Sequence, residues 1–150
     1  MYCFDTDVLS STMRQDPPLA LVRRLAALPA ASQHTTAITV GELLYGVAKT
    51  PRAGLVGNVR TLLESAITVL PFDAAAATEY ATLRAGLERA GHPLDERELR
   101  IASIALARDL TLVTGNIRHF DRVPGLRVEN WLADESGRRV DSPPTPSTPS

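Results

Sequence analysis

The stretch that most constrains this chain is its first nine residues, Met1 to Leu9. Tyr2, Cys3 and Phe4 form an apolar run of strand formers too short for a helix, stopped by Asp5-Thr6-Asp7 before Val8 and Leu9 resume. A run without alternation suits a strand covered on both faces, the condition of a parallel sheet. Asp5 then falls at the strand's carboxyl end, the edge where open α/β sheets gather their ligands. Any other carboxylate delivered to that edge shares a site with it.

Downstream, helical and extended patterns alternate. Pro17-Pro18 opens a helix carrying Leu21, Leu25 and Leu28 with Arg23 and Arg24, and Pro29 ends it. Thr35–Ile38 reads as a second strand, with Thr39 as N-cap of a helix whose apolar face is Val40, Leu43, Leu44 and Val47 and whose first turn holds Glu42. Gly46 and Pro51 mark its end. A helix over Leu55–Ser65, a strand over Thr68–Leu70 and a helix from the Asp73 cap to about Ala90 follow. Gly91-His92-Pro93 breaks the chain. Glu96–Arg108 is the clearest helix, Thr111–Thr114 a strand ended by Gly115-Asn116, and Leu126–Val128 a short last strand. Strands alternating with helices predict one α/β domain over residues 1–133, a mainly parallel central sheet flanked by helices. Residues 134–150 are polar and rich in Pro, Ser and Thr, only those three types from Ser142 onward, and are expected to be a disordered tail.

If the sheet is parallel, four features converge on its carboxyl edge. Asp5 ends the first strand, Glu42 begins the helix after the second, Glu98 begins the helix before the Thr111 strand, and Asn116 ends that strand. Glu98 shares a helix face with Ile101, Ala102 and Ala105, so it heads an inward stripe, with Asp95 one turn earlier at the N-cap. Carboxylates crowded together stay ionised when a cation sits among them. Oxygen ligands without Cys or His clusters select Mg²⁺ or Mn²⁺, the ions that activate water and clamp phosphate oxygens in nucleases. Plainer roles compete: Asp5 as a cap, Glu42 as a charge that favours its helix amino end, Asp73 as a cap, Asp121 as a loop residue. His34, His92 and His119 show no ligand spacing and are assigned to surface or loops, and Trp131 to packing the C-terminal segment on the body.

The totals exclude several classes. No run approaches the ~20 apolar residues that span a bilayer, and no basic, apolar leader precedes the first strand. Cys3 is the only cysteine, so no disulfide framework exists and the cytoplasm is the expected compartment. A net charge of −1 lacks the basic footprint of a nucleic-acid binder. A nucleic-acid partner then needs a metal centre to supply the attraction.

Met1–Leu9, Ala-Ile-Thr-Val-Gly-Glu-Leu-Leu-Tyr-Gly (37–46), Val-Leu-Pro-Phe-Asp (69–73), Leu-Arg-Ile-Ala-Ser-Ile-Ala-Leu-Ala (99–107) and Leu-Thr-Leu-Val-Thr-Gly-Asn (110–116) together resemble a PIN domain. They are most similar to the VapC toxins of type II toxin–antitoxin systems, over about Met1 to Leu132. The resemblance implies a Mg²⁺- or Mn²⁺-dependent endoribonuclease, usually a homodimer, neutralised by a VapB-type antitoxin. By position, Asp5 matches the family's first metal-binding Asp, Glu42 its Glu, Glu98 its third acid and Asn116 its fourth position. Asp7 stands where these toxins commonly have Asn. Asp5, Glu42 and Glu98 are thus the expected metal ligands. Asn116 and Thr114 are expected to orient the attacking water or a ligand carboxylate, for an in-line attack leaving a 5′-phosphate and a 3′-hydroxyl. Glu98 is the departure, since the family usually has Asp there. Its extra methylene requires a shift of helix or ion, or compensation by Asp95 or a water, and slower or more Mn²⁺-dependent cleavage is expected.

Two alternatives stand beside this. A PIN-fold module that binds RNA or antitoxin without cutting is motivated by Glu98 and Asn116. A haloacid-dehalogenase-like phosphatase shares Asp5-Thr6-Asp7 and a strand-ending Thr114, but Lys49 is badly placed for it and no acidic pair follows Thr114.

Overall fold

The structure is a computed structural model that describes residues 1–132; the expected tail, 134–150, and the last residue of the expected domain lie outside the described residues. Five strands, β1 (Tyr2–Phe4), β2 (Gln33–Thr36), β3 (Thr68–Leu70), β4 (Thr111–Val113) and β5 (Val128–Glu129), form one sheet in the order β3-β2-β1-β4-β5. Every neighbouring pair is parallel. The chain starts in the centre, builds outward to β3, then returns to the other side of β1 with β4. That reversal places a topological switch point between the carboxyl ends of β1 and β4.

Register explains the unbroken apolar run of β1. Cys3 pairs with Leu112 and Phe4 with Val113, and each pair points to one face of the sheet. On one face Cys3 and Leu112 meet Leu83 and Leu87 of α5 (Ala74–Arg89) and Leu99, Ile101, Ala102 and Ala105 of α6 (Glu96–Ala107). The stripe headed by Glu98 is therefore buried as its spacing predicted. On the other face Phe4 and Val113 meet α1 (Thr6–Thr12), α2 (Leu19–Ala26), α3 (Ala37–Lys49) and α4 (Ala53–Leu63) through Val8, Leu9, Leu21, Leu43 and Val59. Trp131 closes that face, with its ring edge-on to Tyr2 at 5.0 Å and Phe4 at 5.5 Å. Cys3 is fully buried, and burial, helped by the Asp5 charge, pushes its thiol up to about 12, so it packs as an inert apolar group.

Several local readings need correction. The second strand ends at Thr36, and Thr36, not Thr39, caps α3: its Oγ1 accepts the Thr39 amide at 3.0 Å while its own backbone stays extended. The β-branched Thr35–Thr39 run hid that boundary, because one residue both closes a strand and opens a helix. Glu42 consequently lies in the second turn of α3 rather than its first. The helix runs through Gly46 to Lys49, and Leu44 stays exposed while Leu43 is buried. The last strand is Val128–Glu129 rather than Leu126–Val128. Two further helices, α1 and α7 (Ile117–Phe120), are too short for a helical period to announce them.

Because Thr36 satisfies a buried helix terminus with no other side-chain cap, Thr36→Val should lower the unfolding free energy by about 1 kcal/mol. Urea denaturation followed by circular dichroism reads this loss, and an unchanged midpoint would show that the cap is dispensable.

Candidate active site

Asp5 sits where β1 gives way to α1. Its amide continues the sheet by donating to the Val113 carbonyl at 3.0 Å. Its side chain caps α1, Oδ1 accepting the Thr6 amide at 2.7 Å, while Oδ2 accepts the Thr114 hydroxyl at 2.8 Å across the switch point. The cap and the strand-end roles are therefore one arrangement. Thr114, fully buried, also accepts the Asn116 amide at 3.0 Å, tying the end of β4 to the first turn of α7.

Glu42 reaches the same edge from α3. Burial raises its pKa above the ordinary carboxylate value; Arg97, 3.6 Å away, works against this and the Asp5 charge works with it. The Thr6 hydroxyl faces Glu42, yet it is buried and closes no hydrogen bond of ordinary length. Asp7, in the first turn of α1, turns to the β4–α7 connection rather than to this pair. Its Oδ1 accepts the Val8 amide at 2.9 Å and its Oδ2 the Gly115 amide at 2.7 Å, and burial followed by the Asp5 charge raises its pKa. Gly115 is required by that approach: a Cβ there would lie 2.5 Å from Asp7 Oδ2 and 3.1 Å from Leu132 Cδ1.

Glu98 heads a second knot of residues. Both of its carboxylate oxygens lie 2.9 Å from His119 Nδ1, and the Asn116 side-chain amide lies 2.9 Å from the same nitrogen. Burial raises the pKa of Glu98, His119 lowers it and neighbouring Asp95 raises it. Asp95 caps α6 by accepting the Glu98 amide at 2.9 Å, and its charge acts on Glu42 as well. Burial works to raise Asp95, but the Glu98 amide and Arg97 outweigh it and its pKa falls. The acids thus form an electrostatic row in which each feels the next: Asp7 feels Asp5, Glu42 feels Asp5 and Asp95, and Glu98 feels Asp95. His119, assigned from sequence to a surface or loop role, belongs to this row. Its spacing from Asn116, one helical turn, was the signal available in the sequence.

Among the described residues no three His, Cys, Asp or Glu side chains are grouped as a site that could hold a metal ion. Mg²⁺ does not demand three, since it keeps several waters and takes one or two carboxylates together with substrate oxygens. Asp5 and Glu42 fit that requirement. They are hard oxygen donors, the Asp5 charge acting on Glu42, beside the buried Thr6 hydroxyl that faces Glu42.

Comparison with known proteins agrees with this architecture. The PIN domain family matches residues 2–126. The tRNA(fMet)-specific endonuclease VapC of Shigella flexneri is 38% identical over 130 residues, spanning 87% of this chain and 97% of that one. The chain belongs to the VapC ribonucleases of the PIN-domain family. Ribonuclease VapC2 of Rickettsia felis is 33% identical over 134 residues, with 87% and 98% of the two chains covered. The crystal structure of VapBC2 from that organism, bound to a DNA fragment from its promoter, superposes with a TM-score of 0.77 at 31% identity, again over 87% and 98%. Membership in the VapC family retires the phosphatase alternative. Lys49 lies at the far end of α3, above the Tyr45 ring.

The raised carboxyls set a direction for stability against pH. Asp7, Glu42 and Glu98 hold protons in the folded chain at pH values where the unfolded chain has released them. Stability of the metal-free protein should therefore fall as pH rises from about 4 through those raised values. Asp73 and Asp95 are lowered, so their opposite contribution is lost only below that window. Glu42→Gln should raise the midpoint of thermal unfolding at pH 7 by a few degrees in the presence of a chelator. A lower midpoint for that variant would show that Arg97 outweighs the crowding.

Proposed function

We propose that this chain is the toxin of a type II toxin–antitoxin pair, an endoribonuclease that hydrolyses RNA phosphodiester bonds with a divalent metal and is neutralised by a VapB-type antitoxin. The observation that carries this reading is the row of carboxylates at the switch point of a VapC fold, with the Asp5 charge acting on Glu42 and Asp5 held by Thr114. The relatives support it through what they are: a tRNA(fMet)-specific endonuclease and a VapBC complex. A homodimer and a cytoplasmic location belong to the same reading. Among the described residues no helix is long and apolar enough to cross a membrane.

Asp5, Glu42 and Glu98 are the residues proposed to hold Mg²⁺ or Mn²⁺. When bound, that ion supplies a Lewis acid that activates water and neutralises charge on a phosphate oxygen. Thr114 fixes the Asp5 carboxylate, one oxygen accepting its hydroxyl and the other the Thr6 amide, so Asp5 points one way at the strand end. Asp7 holds the Gly115 amide and so places the Asn116 side chain, which meets the same His119 nitrogen as Glu98. Arg97 is mostly exposed above Glu42 and supplies a guanidinium suited to an RNA phosphate. One observation favours the non-cleaving module instead: both oxygens of Glu98 are engaged by His119.

A cleavage assay on tRNA with purified full-length chain separates the two readings. Wild type with Mg²⁺ or Mn²⁺ should cut and should stop cutting with excess chelator. Asp5→Asn should lose at least 10²-fold, the scale on which a preorganised electrostatic group contributes to catalysis. Cleavage by Asp5→Asn at the wild-type rate, or undiminished cleavage in chelator, would defeat the metal-dependent assignment. Binding of tRNA without any cut would favour the module.

A further inference from the structure

We propose that His119 is a positioning residue for Glu98, holding the carboxylate of this longer acid at one fixed point beside Asn116. The proposal deepens the ribonuclease reading above and rests on it. A glutamate carries one more rotatable bond than the aspartate usual at this place in the family, so its carboxylate is intrinsically less well placed. Here it is not free: His119 Nδ1 stands 2.9 Å from both Oε1 and Oε2. A carboxylate only accepts, so Nδ1 must be the protonated nitrogen. The Asn116 side-chain Nδ2 lies 2.9 Å from the same nitrogen; the one Nδ1 proton is directed at the carboxylate, so the amide contact is not a second bond from it.

Ring and amide are carried by one turn of chain, since the His119 amide donates to the Asn116 carbonyl at 3.2 Å. That turn is itself anchored to β4 and to Asp5 through Thr114. The Glu98 side chain is 15% exposed and the His119 side chain 48%, so the ring covers the carboxylate from the solvent side. Each carboxylate oxygen keeps a lone pair beyond the one given to Nδ1. Shortening Glu98 to Asp would withdraw the carboxylate from the ring. Glutamate and histidine therefore work as a matched pair, and the aspartate usual in the family is not an improvement in this chain.

The test uses the full-length chain as wild type, His119→Phe, His119→Asn, Glu98→Asp and the Glu98→Asp/His119→Phe double variant. Mn²⁺ affinity is read by calorimetry, and kcat and KM on RNA are read separately. His119→Phe keeps the ring and loses the donor; it should weaken Mn²⁺ binding and lower kcat by about 10–100-fold, the usual effect of removing a partner that orients a ligand, with KM little changed. His119→Asn, with a donor where Nδ1 stood, should recover most of the loss. Glu98→Asp should also lose affinity and rate, and should add nothing further in the His119→Phe background.

Unchanged Mn²⁺ affinity and kcat in His119→Phe, or losses that simply add in the double variant, would overturn the proposal. The contact is also readable without metal or RNA, from the imidazole ¹⁵N shifts. Wild type should show the Nδ1–H form and Glu98→Ala should lose it. Active enzyme without that signature overturns the positioning role alone. The signature in a wild type that neither binds Mn²⁺ nor cuts RNA brings down the ribonuclease reading and this role together.

Discussion

The bond from the Thr114 hydroxyl to Asp5 joins two strands that lie more than a hundred residues apart in sequence, at the one place in the sheet where a cleft must open. A carboxylate this deeply buried is costly unless donors surround it. Asp5 meets the demand with a helix amide on one oxygen and a hydroxyl on the other. The same two bonds fix the direction of the carboxylate, cap α1 and lock the ends of β1 and β4 in register. Structural and functional roles of Asp5 are not alternatives here, because the geometry that stabilises it is the geometry that presents it.

Around that anchor the fold accumulates negative charge instead of dispersing it. Burial raises the pKa of Asp7, Glu42 and Glu98, and each also feels a neighbouring acid. A protein selected only for stability would place other residues at such an edge. Local rules broken together at one place are the mark of a working site. The helix arrangement serves this: α3 brings Glu42 and α6 brings Glu98, and both helices are clamped on opposite faces of the sheet by apolar cores that have nothing to do with charge.

The row divides into an inner pair, Asp5 with Glu42, and an outer group of Glu98, His119 and Asn116, with Asp95 between them. The sequence places Glu98 at the right position but cannot say which way its carboxylate turns. The answer depends on a four-residue helix, α7, too short to leave a periodic trace. Leu44 and Tyr45, left exposed on α3, mark apolar surface that the internal cores do not use.

Much was nevertheless settled by the order of residues alone. The unbroken apolar run at Tyr2–Phe4 demanded a strand covered on both sides, and strand–helix alternation then demanded a parallel sheet, so Asp5, Thr114 and Asn116 had to share its carboxyl edge. The stripe through Ile101, Ala102 and Ala105 fixed the face on which Glu98 lies. These inferences hold because period and chain direction are local properties. Only the folded chain decided that Thr36 rather than Thr39 begins α3, that Asp7 grips Gly115 instead of joining the acidic pair, and that His119 closes over Glu98. Each of those outcomes is a choice among hydrogen-bonding partners brought together by packing, and no periodicity in a sequence encodes which acceptor a donor will find.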